Sequence, residues 1–279
     1  MNDNEKTESI KAHWEAMSSS FGADLKSTTK NLSIKKLEID ALSSAIRYVV
    51  GQNINVKSIM EMGCGNGFNT CALSKIFPNI NFTGVDYIPN MIVNAKTLAE
   101  KEGCKNIEYK VGDILDIESI GLQAAYDIVF TDRCIINLDS YEKQKRGIQN
   151  LVGKTSPGGY LIILENNTLT YGNQNLCRKL IGLEERIPAQ YNLFLDESLI
   201  MEYLDEMALE LIDTHDFGSL HDLFLYVILP KINGGKLEYD SEIIKAITDF
   251  CINTADLTKN KFGDFGQNRL YLLRKESSV

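Results

Sequence analysis

The stretch Ser58–Thr70, S-I-M-E-M-G-C-G-N-G-F-N-T, constrains this chain more than any other. A short apolar strand, Ile59 to Met62, enters a turn with glycine at 63, 65 and 67. A helix then opens near Asn69 and continues to Ile76. Glycines at that spacing let the backbone turn sharply and approach a ligand with no Cβ in the way. The helix start behind them offers free N–H groups to a polar ligand. The loop is neither of the two common nucleotide loops. No Gly-Lys-Ser/Thr follows, as a phosphate-binding loop requires, and the spacing is G-x-G-x-G rather than G-x-G-x-x-G. Glu61, two residues before the first glycine, would repel a pyrophosphate and suits a cation such as an α-ammonium group.

Four further segments follow in order. G-V-D at 84–86 ends a second strand, with Asp86 19 residues past Gly67, near the ~20-residue offset at which an acid meets ribose hydroxyls in dinucleotide folds. G-D-I-L at 112–115, Y-D-I-V-F-T-D at 126–132 and P-G-G-Y-L-I-I-L-E at 157–165 complete the series. Together with E-x-G-x-G-x-G these motifs resemble those of the class I S-adenosylmethionine-dependent methyltransferases. The resemblance implies an α/β fold: a seven-stranded Rossmann-like sheet, mostly parallel with an antiparallel last strand. It also implies S-adenosylmethionine as cofactor and S-adenosylhomocysteine as product. Glu61, Gly63, Gly65, Gly67 and Asn69 would take the methionine part. Asp86 would accept both ribose hydroxyls, Tyr87 would pack on adenine, and Asp113 and Ile114 would meet the adenine edge. Asp132 would face the sulfonium. Asp113 in isolation also reads as a turn or helix cap.

A net charge of −9 with no basic run gives no footprint for nucleic acid. The proline-containing motif of base-modifying enzymes is also missing after Asp132. No apolar run approaches the ~18 residues of a membrane span. The six scattered cysteines without C-x-x-C, and a polar start M-N-D-N-E-K-T-E, point to a reducing cytoplasm.

The chain divides into an N-terminal helical lid (1–50), a cofactor-binding core (51–167), a cap insertion between strands five and six (168–206) and a segment completing the sheet (207–279). A helix over Leu37–Val49 can equally cover a sheet edge, and Thr28 and Thr29 can reach the cofactor carboxylate. The polar stretch T-L-T-Y-G-N-Q-N at 168–175 reads as a loop, followed by helices over 176–181 and from Asp196. Residues 216–221 read as another loop.

Transfer to an alcohol needs a base or a metal, whereas an uncharged amine needs neither. The candidate catalytic groups are His221, Arg133, Glu165 and Tyr191. Arg133 would hold an anionic group, or would pair with the neighbours of Asp132 or with Asp139. Of the three histidines, His13 sits on the lid and His215 follows strand six. Asp132 with Glu165 and Asn166 resembles the Mg²⁺ ligands of catechol-type enzymes, but glutamate replaces aspartate and no metal is assigned. The expected activity is methyl transfer to a hydroxyl of a polar small molecule, such as a sugar nucleotide. Small-molecule N-methylation and an inactive cofactor-binding subunit are the alternatives, and a homodimer is left open.

Overall fold

Two alternating apolar sets run through the central strands and decide the architecture. Ile59, Phe82, Ile128, Phe130 and Ile162 point to one face of the sheet; Met60, Met62, Val129, Leu161 and Ile163 point to the other. Strands buried on both faces need helices above and below, which is the layered α/β solution. The computed structural model describes residues 3–29, 31–52 and 55–277, so the first two residues of the polar start lie outside it.

The strands are β1 (Ser58–Met62), β2 (Asn81–Asp86), β3 (Ile107–Val111), β4 (Tyr126–Asp132), β5 (Thr155–Asn166), β6 (Leu209–His215) and β7 (Asn268–Lys275). They form one sheet of order β3-β2-β1-β4-β5-β7-β6. β7 runs antiparallel between β5 and β6, as the resemblance implies, and β1 to β5 are parallel. The carboxyl ends of β1, β2, β4 and β5 therefore open on one edge, where open α/β sheets bind ligands.

α1 (Asp3–Phe21) and α2 (Leu32–Gly51) precede the sheet. They do different work. Leu37, Leu42, Ile46 and Val49 of α2 pack under β1 and β4, so α2 covers the sheet. Of the segment expected as a lid, α1 and the loop that follows it contribute no residue to this apolar cluster. α3 (Phe68–Ile76), α4 (Pro89–Glu102) and α5 (Tyr141–Lys154) are the crossover helices.

α6 (Thr168–Leu180) occupies the stretch expected as a loop. Asn167 starts it, with its side-chain oxygen accepting from Leu169 N and Thr170 N, at 2.8 and 3.3 Å. That cap makes a polar sequence helical, and Thr170, Tyr171 and Gln174 are buried. α7 (Glu197–Glu206) is not cap material either. Ile200, Tyr203 and Leu204 pack with Leu161, Ile163 and Leu273 on the sheet face. Of the segment expected as a cap, that leaves α6 and most of the loop 181–196 outside this cluster.

A second insertion lies between β6 and β7. It holds a helical run of α8 (Ser219–Leu223), a π-helical turn (Phe224–Ile228) and α9 (Leu229–Ile232). α10 (Glu242–Asn253) and α11 (Ala255–Thr258) follow it. The expected loop at 216–221 is thus partly helix. No helix among the described residues is long and apolar enough to cross a membrane.

Candidate active site

A cavity of about 440 Å³ opens at the carboxyl edge of the strands. One end is walled by Gly63, Gly65, Asn69, Asp86, Tyr87 and Asp132. The rest of the wall comes largely from α1, the loop that follows it, the loop 181–196 and the second insertion.

The glycine loop explains itself by contact. Gly65 has φ +53°, and a Cβ there would lie 2.8 Å from Thr28 Cγ2 on the lid. Gly67, at φ +78°, answers to packing instead. A Cβ would meet the Tyr109 hydroxyl at 2.5 Å and Ala95 Cβ at 2.8 Å, and Gly67 does not line the cavity. Asn66 Nδ2 donates to Asp24 O at 2.8 Å, which ties the loop to the lid, and both Thr28 and Thr29 reach the cavity wall.

Asp86 ends β2 with its carboxylate engaged by the loop. Gly65 N donates to Oδ2 at 2.8 Å and Ile88 N to Oδ1 at 2.9 Å. Each carboxylate oxygen keeps a further lone pair for a hydroxyl donor. Burial pushes this carboxyl up to about 6, against the two backbone N–H groups that favour its charge. Ribose hydroxyls bind the ionised form. Affinity for S-adenosylhomocysteine is therefore expected to be full above pH 6 and to fall toward tenfold per pH unit below it. Calorimetric titrations between pH 8 and 5 check this, and a flat profile would refute Asp86 as the ribose acceptor.

Between the glycine loop and β4 lies a buried charge network that no spacing announces. Lys35 Nζ of α2 is 2.5 Å from Glu38 Oε2 and 2.6 Å from Asp132 Oδ2. Arg133, at φ 55°, places Nε 3.0 Å from Glu38 Oε1. Asn268 Nδ2 donates to the same oxygen at 2.6 Å. Burial raises the Glu38 carboxyl against the pull of Arg133. Burial also works to raise Asp132, but Lys35 and Arg133 outweigh it and hold that carboxyl below the usual range. Two cations thus face two carboxylates, and Arg133, though on the cavity wall, has its charge met by Glu38 and Asp132. Its ion-pair partners are Glu38 and the adjacent Asp132 rather than Asp139.

Several expected contacts sit behind the wall. Glu61 accepts from Asn69 Nδ2 at 3.1 Å and from the Thr70 hydroxyl, and it does not line the cavity. Burial pushes it up to about 7. Its part is to aim Asn69, which also donates to Asp132 Oδ2 at 2.7 Å. Glu165 is buried beneath the end of β4, its Oε1 accepting from Cys134 N and Ile135 N, both at 2.9 Å, and its Oε2 from Ile136 N at 3.3 Å. Burial pushes it up to about 8, and it forms the chain turn rather than touching substrate.

Asp113 accepts from Leu115 N at 2.8 Å as the cap of a 3₁₀ turn, and Ile114 is buried in the core; neither lines the cavity. His221 is fully buried, with Nδ1 2.7 Å from Asp222 Oδ1, and is not on the wall. It cannot act as a base on a bound acceptor from there. The Asp132/Glu165/Asn166 set is likewise spent on Lys35, backbone N–H groups and Asn268. Among the described residues no group of three or more His, Cys, Asp or Glu side chains could hold a metal ion.

At the opposite end the lid meets the cap. Tyr191 is on the wall and stacks on His13, with ring centroids 4.1 Å apart and planes at 19°. Trp14 meets Tyr191 edge-on at 5.9 Å and donates Nε1 to Asn137 Oδ1 at 3.1 Å. His13 is the one histidine on the wall. Lys35, Glu38, Trp14, Arg186, Tyr226 and Gln267 were not marked by sequence. A Lys-x-x-Glu pair on an amphipathic helix ordinarily reads as a solvated face.

The residues present suit S-adenosylmethionine. Oδ1 of Asn69 is a buried acceptor with no hydrogen-bond partner among the described residues, Oδ1 of Asp132 meets the Arg133 guanidinium at 3.5 Å, and both side chains line the cavity. An acceptor left open beside a glycine loop matches an α-ammonium group, and Asp86 with its spare lone pairs matches a ribose.

Comparison with known proteins bears on the family. A family model described as "Methyltransferase domain" matches residues 55–199. A malonyl-[acyl-carrier protein] O-methyltransferase of Bacillus cereus is 25% identical over 188 residues, 67% of this chain and 64% of that protein. The chain therefore aligns with under two thirds of that relative's length. Human EEF1A lysine methyltransferase 2 is 30% identical over 132 residues, covering 46% of this chain and 56% of that one. Among solved structures, phosphoethanolamine N-methyltransferase 1 of Haemonchus contortus aligns over 100% of this chain and 51% of its own, with TM-score 0.58 and 15% identity. At that identity the likeness is one of fold. With motif, topology and matching domain all in place, the chain belongs to the class I S-adenosylmethionine-dependent methyltransferase family.

Proposed function

We propose that this protein transfers a methyl group from S-adenosylmethionine to a hydroxyl of a polar small molecule enclosed between lid and cap. The single observation behind the reading is the continuity of one cavity, from Gly65, Asn69 and Asp86 to His13, Tyr191 and the cap loop. When bound, S-adenosylmethionine supplies an activated methyl group. Asp86 would hold the ribose, and Asn69 with Asp132 the ammonium end. Thr28 and Thr29 close over the glycine loop.

Alignment alone can contribute ~7–11 kcal/mol to such a reaction, so walls from three separate segments serve the chemistry by fixing the acceptor. An alcohol must also lose its proton. His13 on the lid is the imidazole at the cavity, and its Nδ1 or Nε2 is the site we assign for receiving that proton. The stack on Tyr191 fixes the ring plane. Lid packing against the cap would shield the acceptor from water.

The test is formation of S-adenosylhomocysteine from S-adenosylmethionine across a panel of hydroxyl and amine acceptors, with wild type and His13→Ala. Turnover with hydroxyl acceptors that drops ~100-fold in the variant is expected. Turnover with amines alone, unaffected by His13→Ala, would transfer the protein to the N-methylating class.

A further inference from the structure

Three cationic side chains line the cavity, and they differ in how their charge is met. Lys35 and Arg133 are neutralised by Glu38 and Asp132. Arg186, on the cap loop, forms no ion pair among the described residues. It is nonetheless held firmly. Its backbone is clamped to α6, with Arg186 N donating to Asn175 Oδ1 and Asn175 Nδ2 donating to Arg186 O, both at 2.9 Å. Its Nη1 donates to Gln174 Oε1 at 2.6 Å and its Nη2 to Gln267 Oε1 at 2.7 Å. The guanidinium lies 3.5 Å over the Tyr226 ring and 4.9 Å from that of Tyr171.

A guanidinium has five N–H donors, and described residues accept from two of them. Neutral amides and aromatic faces orient the group without cancelling its charge. Arg178 stands behind it, and burial together with the Arg186 charge pulls the Arg178 guanidinium below its ordinary value. Asp222 is the carboxylate on this part of the wall, and its oxygens already accept from Gln267 N at 2.6 Å and meet His221 Nδ1. This end of the cavity is a preorganised, positively charged cradle facing acceptor space.

We infer that Arg186, aligned by Gln174, Gln267, Tyr171 and Tyr226, is a specificity site for an anionic group, carboxylate or phosphate, carried by the methyl acceptor. The inference rests on the proposed methyl-transfer reading and sharpens its substrate class from polar to anionic. The guanidinium fork suits both oxyanions, because each offers two oxygens in its plane.

The test uses the full chain saturated with S-adenosylhomocysteine, titrated calorimetrically with malonate, inorganic phosphate and, as a neutral control, malonamide. We expect millimolar or tighter binding of at least one anion and none of malonamide. Preference between malonate and phosphate distinguishes the two sources of charge. Arg186→Gln is expected to weaken the anion at least tenfold while leaving the affinity for S-adenosylhomocysteine within twofold. Arg186→Lys should recover part of the loss.

Failure of wild type to discriminate either anion from malonamide would overturn the inference whatever the variants do. So would anion affinity unchanged in a folded Arg186→Gln protein. In both cases bound S-adenosylhomocysteine leaves the cofactor site standing, whereas loss of that binding in wild type would refute the underlying reading first.

Discussion

Asp86→Ala is expected to weaken S-adenosylhomocysteine binding by at least 100-fold, with calorimetry as the readout. The side chain would accept two hydroxyl donors, and hydrogen bonds to a charged group contribute about 1.5–3 kcal/mol each. Two such bonds amount to about 3–6 kcal/mol, and every 1.4 kcal/mol is a factor of ten. The same carboxylate accepts from Gly65 N and Ile88 N, so part of the loss will come from loosening the glycine loop itself. Asp86→Asn separates the two contributions. It keeps an acceptor for one N–H but cannot accept from both hydroxyls at once, and it should fall between wild type and alanine. An alanine variant that binds within threefold of wild type would place the ribose elsewhere.

Lys35→Met should be the most destabilising single change on the cavity wall. It removes the cation that meets both Glu38 and Asp132, at 2.5 and 2.6 Å, and leaves Arg133 alone against two buried carboxylates. Breaking a buried ion pair from one side typically costs 3–5 kcal/mol, because an uncompensated charge remains. For a chain of this size that is a fall in Tm on the order of 10 °C. Thermal unfolding measured with and without S-adenosylhomocysteine checks it. Replacing one of the two carboxylates as well, in Lys35→Met/Glu38→Gln, should recover a good part of the loss. A single variant melting within 2 °C of wild type would show that the network is not buried as described.

The network also makes a functional point. α2 serves the sheet through Leu42 and Ile46, and one to two turns before Leu42 it serves the cavity through Lys35, which is paired with Glu38. The helix that anchors the fold therefore also sets the charge around Asp132.

Sequence carried the fold well and the acceptor end poorly, for physical reasons. Strands β1, β2 and β4 are legible because each is a short, largely apolar run ended by a glycine or an acid, as at Gly63 and Asp86, whereas β3, I-E-Y-K-V, alternates apolar and charged residues. The last strand shows in the short apolar run within Arg269–Leu273, but its antiparallel direction is implied only by the resemblance. α6 was hidden because its residues are polar and its start depends on the Asn167 cap.

Within the site, Asp86, Asn69 and Asp132 fall on the cavity wall where the motifs put them. Glu61, Gly67, Asp113 and Glu165 share the same motifs yet support the wall from behind, since a motif records contact with the fold as much as with a ligand. His221 was marked only because histidine is scarce and the residue lies near the edge of the sheet. Its burial against Asp222 depends on the second insertion, whose packing is set by residues far away in the chain. Arg186 carries no motif. Its meaning comes from Tyr171, Gln174, Tyr226 and Gln267, which come together only in three dimensions.

The central claim is that the cavity beside Gly65 and Asp86 is a methyl-donor site, and calorimetric titration of the wild-type protein with S-adenosylhomocysteine tests it most directly. The account predicts one site per chain with a micromolar Kd. Absence of binding up to millimolar ligand near pH 7.5 would contradict it.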